Sequence, residues 1–127
     1  MARHVLDSSV VLAALLQESG GDASHVLLPD ALMCAVNVTE IITRLNDTGW
    51  PMRLAASETA KLVGRVAPFD DTLAFRAGWL RVETRDLGLS LGDRACLALA
   101  MAAGLPVYTA DRDWSSLDLG IDIRLIR

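Results

Sequence analysis

Apolar residues in this chain fall into short runs separated by segments with helical spacing. His4 to Asp7 reads as a short strand, and a helix follows from about Ser9 to Leu16 until Gly20-Gly21 closes it. Asp22 to Leu28 is a short helix stopped by Pro29, and Ala31 to Val36 is a second strand. Between Asn37 and Asn46, Val38, Ile41, Ile42 and Leu45 recur on one helical face; Gly49-Trp50-Pro51 ends that helix before another runs to Val63. Arg65 to Phe69 is a third strand, weakened by Pro68, and Asp71 to Arg85 is a helix with Leu73, Phe75, Trp79 and Leu80 apolar. The turn-prone Leu87-Gly88-Leu89-Ser90 leads into a small-residue helix from Leu91 to Ala103. Pro106 to Thr109 and Ile121 to Leu125 are the last two strands.

Alternation of this kind implies parallel strands joined by right-handed helical crossovers. The expected fold is α/β, a three-layer α/β/α sandwich with a central, mainly parallel sheet. With 127 residues, no repeat and no Pro/Gly/Ser linker, residues 1–127 are expected to form one domain. A hydrophobic content of 52% suits a packed core and not a disordered chain. No apolar run approaches the roughly 20 residues of a membrane span, and the start Met1-Ala2-Arg3-His4 lacks the features of a secretory signal. A cytoplasmic protein is therefore expected. Cys34 and Cys96 lie in apolar stretches without a metal-binding neighbour, so both read as reduced core residues. The net charge of −4 argues against a protein that passively coats nucleic acid.

The informative residues are acids placed at the ends of strands and the starts of helices. Asp7 ends the first strand, Glu40 opens the helix after the second, Asp93 opens the small-residue helix, and Asp111 and Asp113 follow the strand at Val107-Tyr108-Thr109. In an open parallel sheet, whatever lies beyond the carboxyl ends of the strands shares one edge, where ligands usually bind. Each acid also has a plainer reading. In Asn37-Val38-Thr39-Glu40 and in Ser90-Leu91-Gly92-Asp93 the acid sits where a capping-box side chain belongs, and Asp111 and Asp113 suit a turn. Asp7, between Leu6 and an apolar helix start, has no basic residue close by in sequence after Arg3. Taken together, mutually repelling carboxylates need a hard divalent cation with a preference for oxygen ligands, and Mg²⁺ is the expected one, with Mn²⁺ able to substitute. His4 and His25 are placed away from the acids.

The segments Val5-Leu6-Asp7-Ser8-Ser9, Asn37-Val38-Thr39-Glu40, Leu89-Ser90-Leu91-Gly92-Asp93-Arg94-Ala95 and Tyr108-Thr109-Ala110-Asp111-Arg112-Asp113-Trp114 resemble, in order and across the whole chain, the acidic motifs of PIN-domain ribonucleases of the VapC toxin type. The resemblance implies a PIN-like fold whose catalytic acids are Asp7, Glu40, Asp93 and Asp111. It implies metal ligands among Asp7, Asp93, Asp111 and Asp113, and polar residues Ser8 and Thr109 that orient them. It further implies a homodimer and a small antitoxin with a DNA-binding part and a tail that blocks the acidic site. The implied substrate is RNA, in many relatives a structured one such as a tRNA. Trp114 departs from the family, which often has Phe there; the change bears on packing more than on chemistry.

Metal-activated water would then hydrolyse the phosphodiester bond, with Asp7 and Asp93 as principal ligands and Glu40 or Asp111 accepting the water's proton. RNA held over an acidic pocket also needs basic groups on the rim, and Arg44, Arg94 and Arg112 are nearest in sequence to the acids. Two rivals differ in class. A receiver-type phosphoacceptor domain needs an acidic pair after the first strand and a Lys after the last, and neither is present. A catalytically inactive PIN-like binding subunit has no reason to keep four mutually repelling acids.

Overall fold

The structure, a computed structural model, describes all 127 residues. Five strands form one all-parallel sheet: β1 (His4–Leu6), β2 (Ala31–Cys34), β3 (Val66–Ala67), β4 (Val107–Thr109) and β5 (Ile123–Leu125), in the order β3-β2-β1-β4-β5. Val5 pairs with both Leu32 and Val107, which places β1 at the centre. Six α-helices surround the sheet: α1 (Ser8–Leu15), α2 (Gly21–Leu27), α3 (Ala35–Asp47), α4 (Met52–Leu62), α5 (Asp71–Thr84) and α6 (Leu91–Ala103). The expected three-layer sandwich is thus observed.

The core divides into two clusters, one on each face of the sheet. Val5, Cys34 and Val107 join Leu73, Ala77 and Leu80 of α5 and Ala95 to Ala100 of α6. Leu6 and Met33 point the other way, against Val10 and Val11 of α1, Ile41 and Leu45 of α3, and Ala55 of α4. Successive strand residues thus serve opposite layers, as the two-residue repeat requires. Every residue from Ala95 to Ala100 is no more than 5% exposed, so α6 is a core helix whose small side chains allow close approach. Cys34 and Cys96 are both free and buried, as expected.

Three differences from the sequence reading bear on function. Helix α3 begins at Ala35, two residues before the expected start, so Asn37 lies inside its first turn and is not an N-cap. The third strand contracts to Val66–Ala67 at the sheet edge, because Pro68 can donate no ladder hydrogen bond. On α5 the buried stripe is Leu73, Ala77, Leu80 and Thr84, which leaves Phe75 and Trp79 at 82% and 77% exposure.

Candidate active site

The strand order reverses direction between β1 and β4, and crevices at such a point receive ligands in open parallel sheets. Asp7 stands at the end of β1 there, and Asp111 lies two residues beyond the end of β4. Asp7 occupies the N-cap position of α1 in extended backbone, yet its side chain makes no capping hydrogen bond. An aspartate at that position ordinarily accepts a bond from the first helical turn. Here Oδ2 instead accepts hydrogen bonds from Ser9 Oγ at 2.7 Å and Thr109 Oγ1 at 3.0 Å. The other oxygen, Oδ1, is buried and has no partner.

Ser9 therefore supports Asp7, where Ser8 was expected. The two serines are adjacent on α1 and so point about 100° apart. Ser9 faces β4, where it also accepts from the Ala110 N–H at 2.9 Å. Ser8 faces the neighbouring groove with Leu12, one turn along the same side. Thr109 holds the position expected of it and also accepts from the Asp111 N–H at 3.0 Å, tying the chain after β4 to Asp7.

Glu40 and Asp93 approach from α3 and α6. Burial, first, drives the Asp7 carboxyl up to about 6 from 3.8. The charges of Asp93 and Glu40 push in the same direction, while the hydroxyls of Ser9 and Thr109 oppose. Glu40 Oε1 accepts from Asn37 Nδ2 at 2.8 Å, and the same amide donates to Gly92 O at 3.0 Å, bridging α3 to the start of α6. The Glu40 carboxylate lies where a side chain at position 92 would begin, so a larger residue there would displace it from its place beside Asn37. Asp93 is the acid of a capping box: its N–H donates to Ser90 Oγ and its Oδ2 accepts from the Ser90 N–H at 3.0 Å. The capping reading thus holds for Asp93 and fails for Glu40. Asp93 nonetheless retains an oxygen outside the cap and stays close enough to bear on Asp7.

The remaining expected residues are less central. Asp111 caps a short 3₁₀-helix (Arg112–Ser116) by accepting from the Asp113 N–H at 3.0 Å. Asp113 is exposed, and only its backbone enters this network. Arg94 turns inward and donates from Nη1 to Ala77 O of α5 at 3.0 Å, with its Nε buried and unpartnered; it ties α6 to α5 and is drawn away from the rim. Arg112 is exposed beside Asp111. Arg44 is exposed and lines a groove of about 690 Å³ between α1, α3 and the start of α6, together with Glu40 and the hydroxyl residues Ser8, Thr39, Thr43 and Ser90. Sequence reasoning passed over Ser9, Asn37 as a partner of Glu40, and Gly92. The spacing of Asn37 and Glu40, three apart on one helix, was the available signal for the second of these.

The donor set suits a hard cation only in part, and in an instructive way. No three acidic, His or Cys side chains form a preassembled metal cage. No basic residue pairs with the acids either: the two ion pairs of the molecule are Lys61–Glu58 and Arg124–Asp122. What is present is one buried carboxylate oxygen without a partner, under the influence of two further carboxylates. That fits Mg²⁺, which keeps several waters and takes one or two carboxylates, better than a metal that demands a full protein cage.

Comparison with known proteins agrees with this geometry. A family model described as PIN domain matches residues 4–119. No curated protein matches the chain in sequence. Among solved structures, a chain of the DNA-bound VapBC from Salmonella typhimurium is similar with a TM-score of 0.75 at 19% identity, covering 100% of both chains. A chain of VapBC-5 from Mycobacterium tuberculosis is similar at 25% identity and a TM-score of 0.66, covering 100% of this chain and 99% of that one. VapC20 of Mycobacterium tuberculosis, described as a sarcin-ricin loop cleaving toxin, is similar at 20% identity and a TM-score of 0.73, covering 89% and 93%. The fold is VapC-like.

Proposed function

The chain belongs to the PIN-domain family, and from that membership and its acidic site we infer that it is a divalent-metal-dependent endoribonuclease, the toxin of a toxin–antitoxin pair. The observation that carries the reading is Asp7: a buried carboxylate at a helix N-cap that does not cap, with one oxygen left without a partner. An unpaired buried charge is costly, and a fold that keeps one has a use for it.

Asp7 and Asp93 would hold the ion, with Asp111 near the same edge completing the ligand set; Asp113 would contribute only after its exposed side chain turned inward. A bound Mg²⁺ or Mn²⁺ supplies an activated water and neutralises charge that develops on the phosphoryl oxygens. Ser9 and Thr109 fix the Asp7 carboxylate, so its free oxygen keeps one direction. Glu40, oriented by Asn37 and exposed to the groove, is the chain's candidate for accepting the proton of the attacking water. The groove it lines offers hydroxyls and Arg44 to a phosphate backbone with its 2′-hydroxyls. Arg112 is the second candidate phosphate contact.

The same reading includes RNA, for example a tRNA, as substrate and an antitoxin with a DNA-binding part whose Arg-bearing tail would enter the acidic site. A homodimer and residence in the cytoplasm belong to it as well; no helix of this chain is long and apolar enough to cross a membrane. The test is incubation of the purified protein with total RNA in Mg²⁺, in Mn²⁺ and in EDTA, with folded Asp7→Asn as control. Discrete cleavage products are expected with either metal and none in EDTA or with the variant. Cleavage that persists in EDTA, or full activity of Asp7→Asn, overturns the reading.

A further inference from the structure

The chain beyond β5 turns back across the edge of the sheet that carries the acids. The Ile126 N–H donates to the Thr109 carbonyl at 3.0 Å, so this segment is tied to the residue whose hydroxyl supports Asp7. From there Arg127 donates from Nη1 to the Ser19 carbonyl, between α1 and α2, at 2.9 Å. Gly20 makes the approach possible. Its φ of 89° is left-handed, and a Cβ there would sit 2.8 Å from the Ile126 carbonyl oxygen. Arg127 is thus anchored through its neighbour's backbone and through its own side chain, and the bond to Ser19 uses only one of the several N–H donors of a guanidinium.

Arg127 lines a crevice of about 180 Å³ together with Arg44, Ser9, Leu12, Leu16 and Glu18. Leu12 and Arg44 also line the larger groove beside Glu40, so groove and crevice are continuous. Ser9, which holds Asp7, belongs to the crevice, and its neighbour Ser8 to the groove. Neither arginine is neutralised: the two ion pairs of the molecule are elsewhere, and Glu18 lies beyond pairing distance of both. Leucine walls strengthen the field of the two cations between them. At about 180 Å³ the crevice is well below the roughly 300–1,000 Å³ of small-molecule pockets, which suits one phosphate group and not a nucleoside.

We propose that an RNA strand lying in the groove continues past Arg44 into this crevice, where Arg127 holds a backbone phosphate neighbouring the one to be cut. The inference rests on the ribonuclease reading and adds to it the path of the strand. Arg127 is a positioning contact, since it touches a phosphate that does not react. A guanidinium meets phosphate through a planar fork of donors. One already fastened to Ser19 loses less freedom when the strand arrives than a free side chain would. Arg127 thereby supplies the rim charge that Arg94, turned toward Ala77, does not.

Binding of a short fluorescein-labelled oligouridylate, followed by anisotropy over a range of salt concentrations, tests it. The parent is the inactive Asp7→Asn protein in EDTA, so that nothing is cut and no divalent ion competes. Each phosphate contact on a single strand contributes about 0.7 to the salt slope. Arg127→Ala should therefore lower the slope by about 0.7, and the parent's advantage in affinity should shrink about 2.5-fold between about 50 and about 200 mM salt. Arg127→Lys keeps the charge and should keep the slope. Arg76→Ala, which removes an exposed arginine from α5 in the other helical layer, should leave the slope unchanged. Three results overturn the proposal: Arg127→Ala with the parent's slope, Arg127→Lys losing as much slope as Arg127→Ala, or Arg76→Ala matching Arg127→Ala. Any of these beside metal-dependent cleavage by the wild type removes the crevice and leaves the ribonuclease reading standing, whereas a parent that does not bind the RNA, with a wild type that cuts none, overturns both.

Discussion

Replacing Asp7 by asparagine should change how the stability of the metal-free protein depends on pH. The Asp7 carboxyl is 4% exposed, and burial, with Asp93 and Glu40 nearby, raises it to about 6 from 3.8. A carboxyl raised in the folded state holds its proton more tightly there than in the unfolded chain. Its contribution to stability is therefore fully present below 3.8 and is lost as the pH rises through about 6. At about 1.4 kcal/mol per pH unit, that interval corresponds to a loss of about 3 kcal/mol. About 2 kcal/mol of it falls between about pH 4.5 and about pH 8. Asp7→Asn removes the titration. The asparagine carries its own cost, since its amide would meet no acceptor where Oδ1 now lies, but that cost does not vary with pH. Urea unfolding of both proteins in EDTA, at several pH values, isolates the effect: wild type should lose about 2 kcal/mol relative to the variant across that range. Parallel stability curves would show that Asp7 is not strained by ionisation, and would remove the main physical support for a metal at this site. Adding Mg²⁺ at about pH 8 should stabilise wild type by about 2.7 kcal/mol at a hundredfold excess over its dissociation constant, and Asp7→Asn by much less.

Substitutions at five other positions separate the roles of the surrounding residues. Ser90→Ala removes the cap of α6 and should cost about 1 kcal/mol in thermal or urea unfolding while leaving the response to Mg²⁺ intact, whereas Asp93→Asn should lose that response. Gly92→Ala displaces the Glu40 carboxylate, the movable end of a side chain; cleavage should fall at least about tenfold, while urea unfolding changes by less than about 1 kcal/mol because alanine favours the helix. Asn37→Ala should cost about 1–3 kcal/mol by the same measure, because the buried Gly92 carbonyl loses a donor, and Asn37→Asp should be worse because it turns a charge toward Glu40. Arg44→Ala, made in an inactive Asp7→Asn background, should leave stability unchanged and lower the salt dependence of RNA binding by about one phosphate contact, measured by fluorescence anisotropy.

The sequence by itself determined the architecture and the neighbourhood of the site. Strand and helix periods differ, so alternating short apolar runs and amphipathic segments specify a parallel sheet between helical layers. An acid just past a strand end is then bound to fall on the carboxyl edge, as Asp7 and Asp111 do. Side-chain direction was a different matter. Ser8 and Ser9 are equivalent in a motif, but one step along α1 turns a residue by about 100°, and only the position of β4 decides that Ser9 meets Asp7. The start of α3 was also undetermined locally: with Ala35 and Val36 in the helix, Asn37 moves from a cap to a bridge between Glu40 and Gly92, a contact across 55 residues of sequence. Arg94 stood next to a site acid and appeared free for RNA until the packing of α5 offered it the Ala77 carbonyl. The apolar residues of α5 read alike in the chain, yet α6 packs against only one side of that helix. Which of them are core and which form an open face was decided by where the second layer ends.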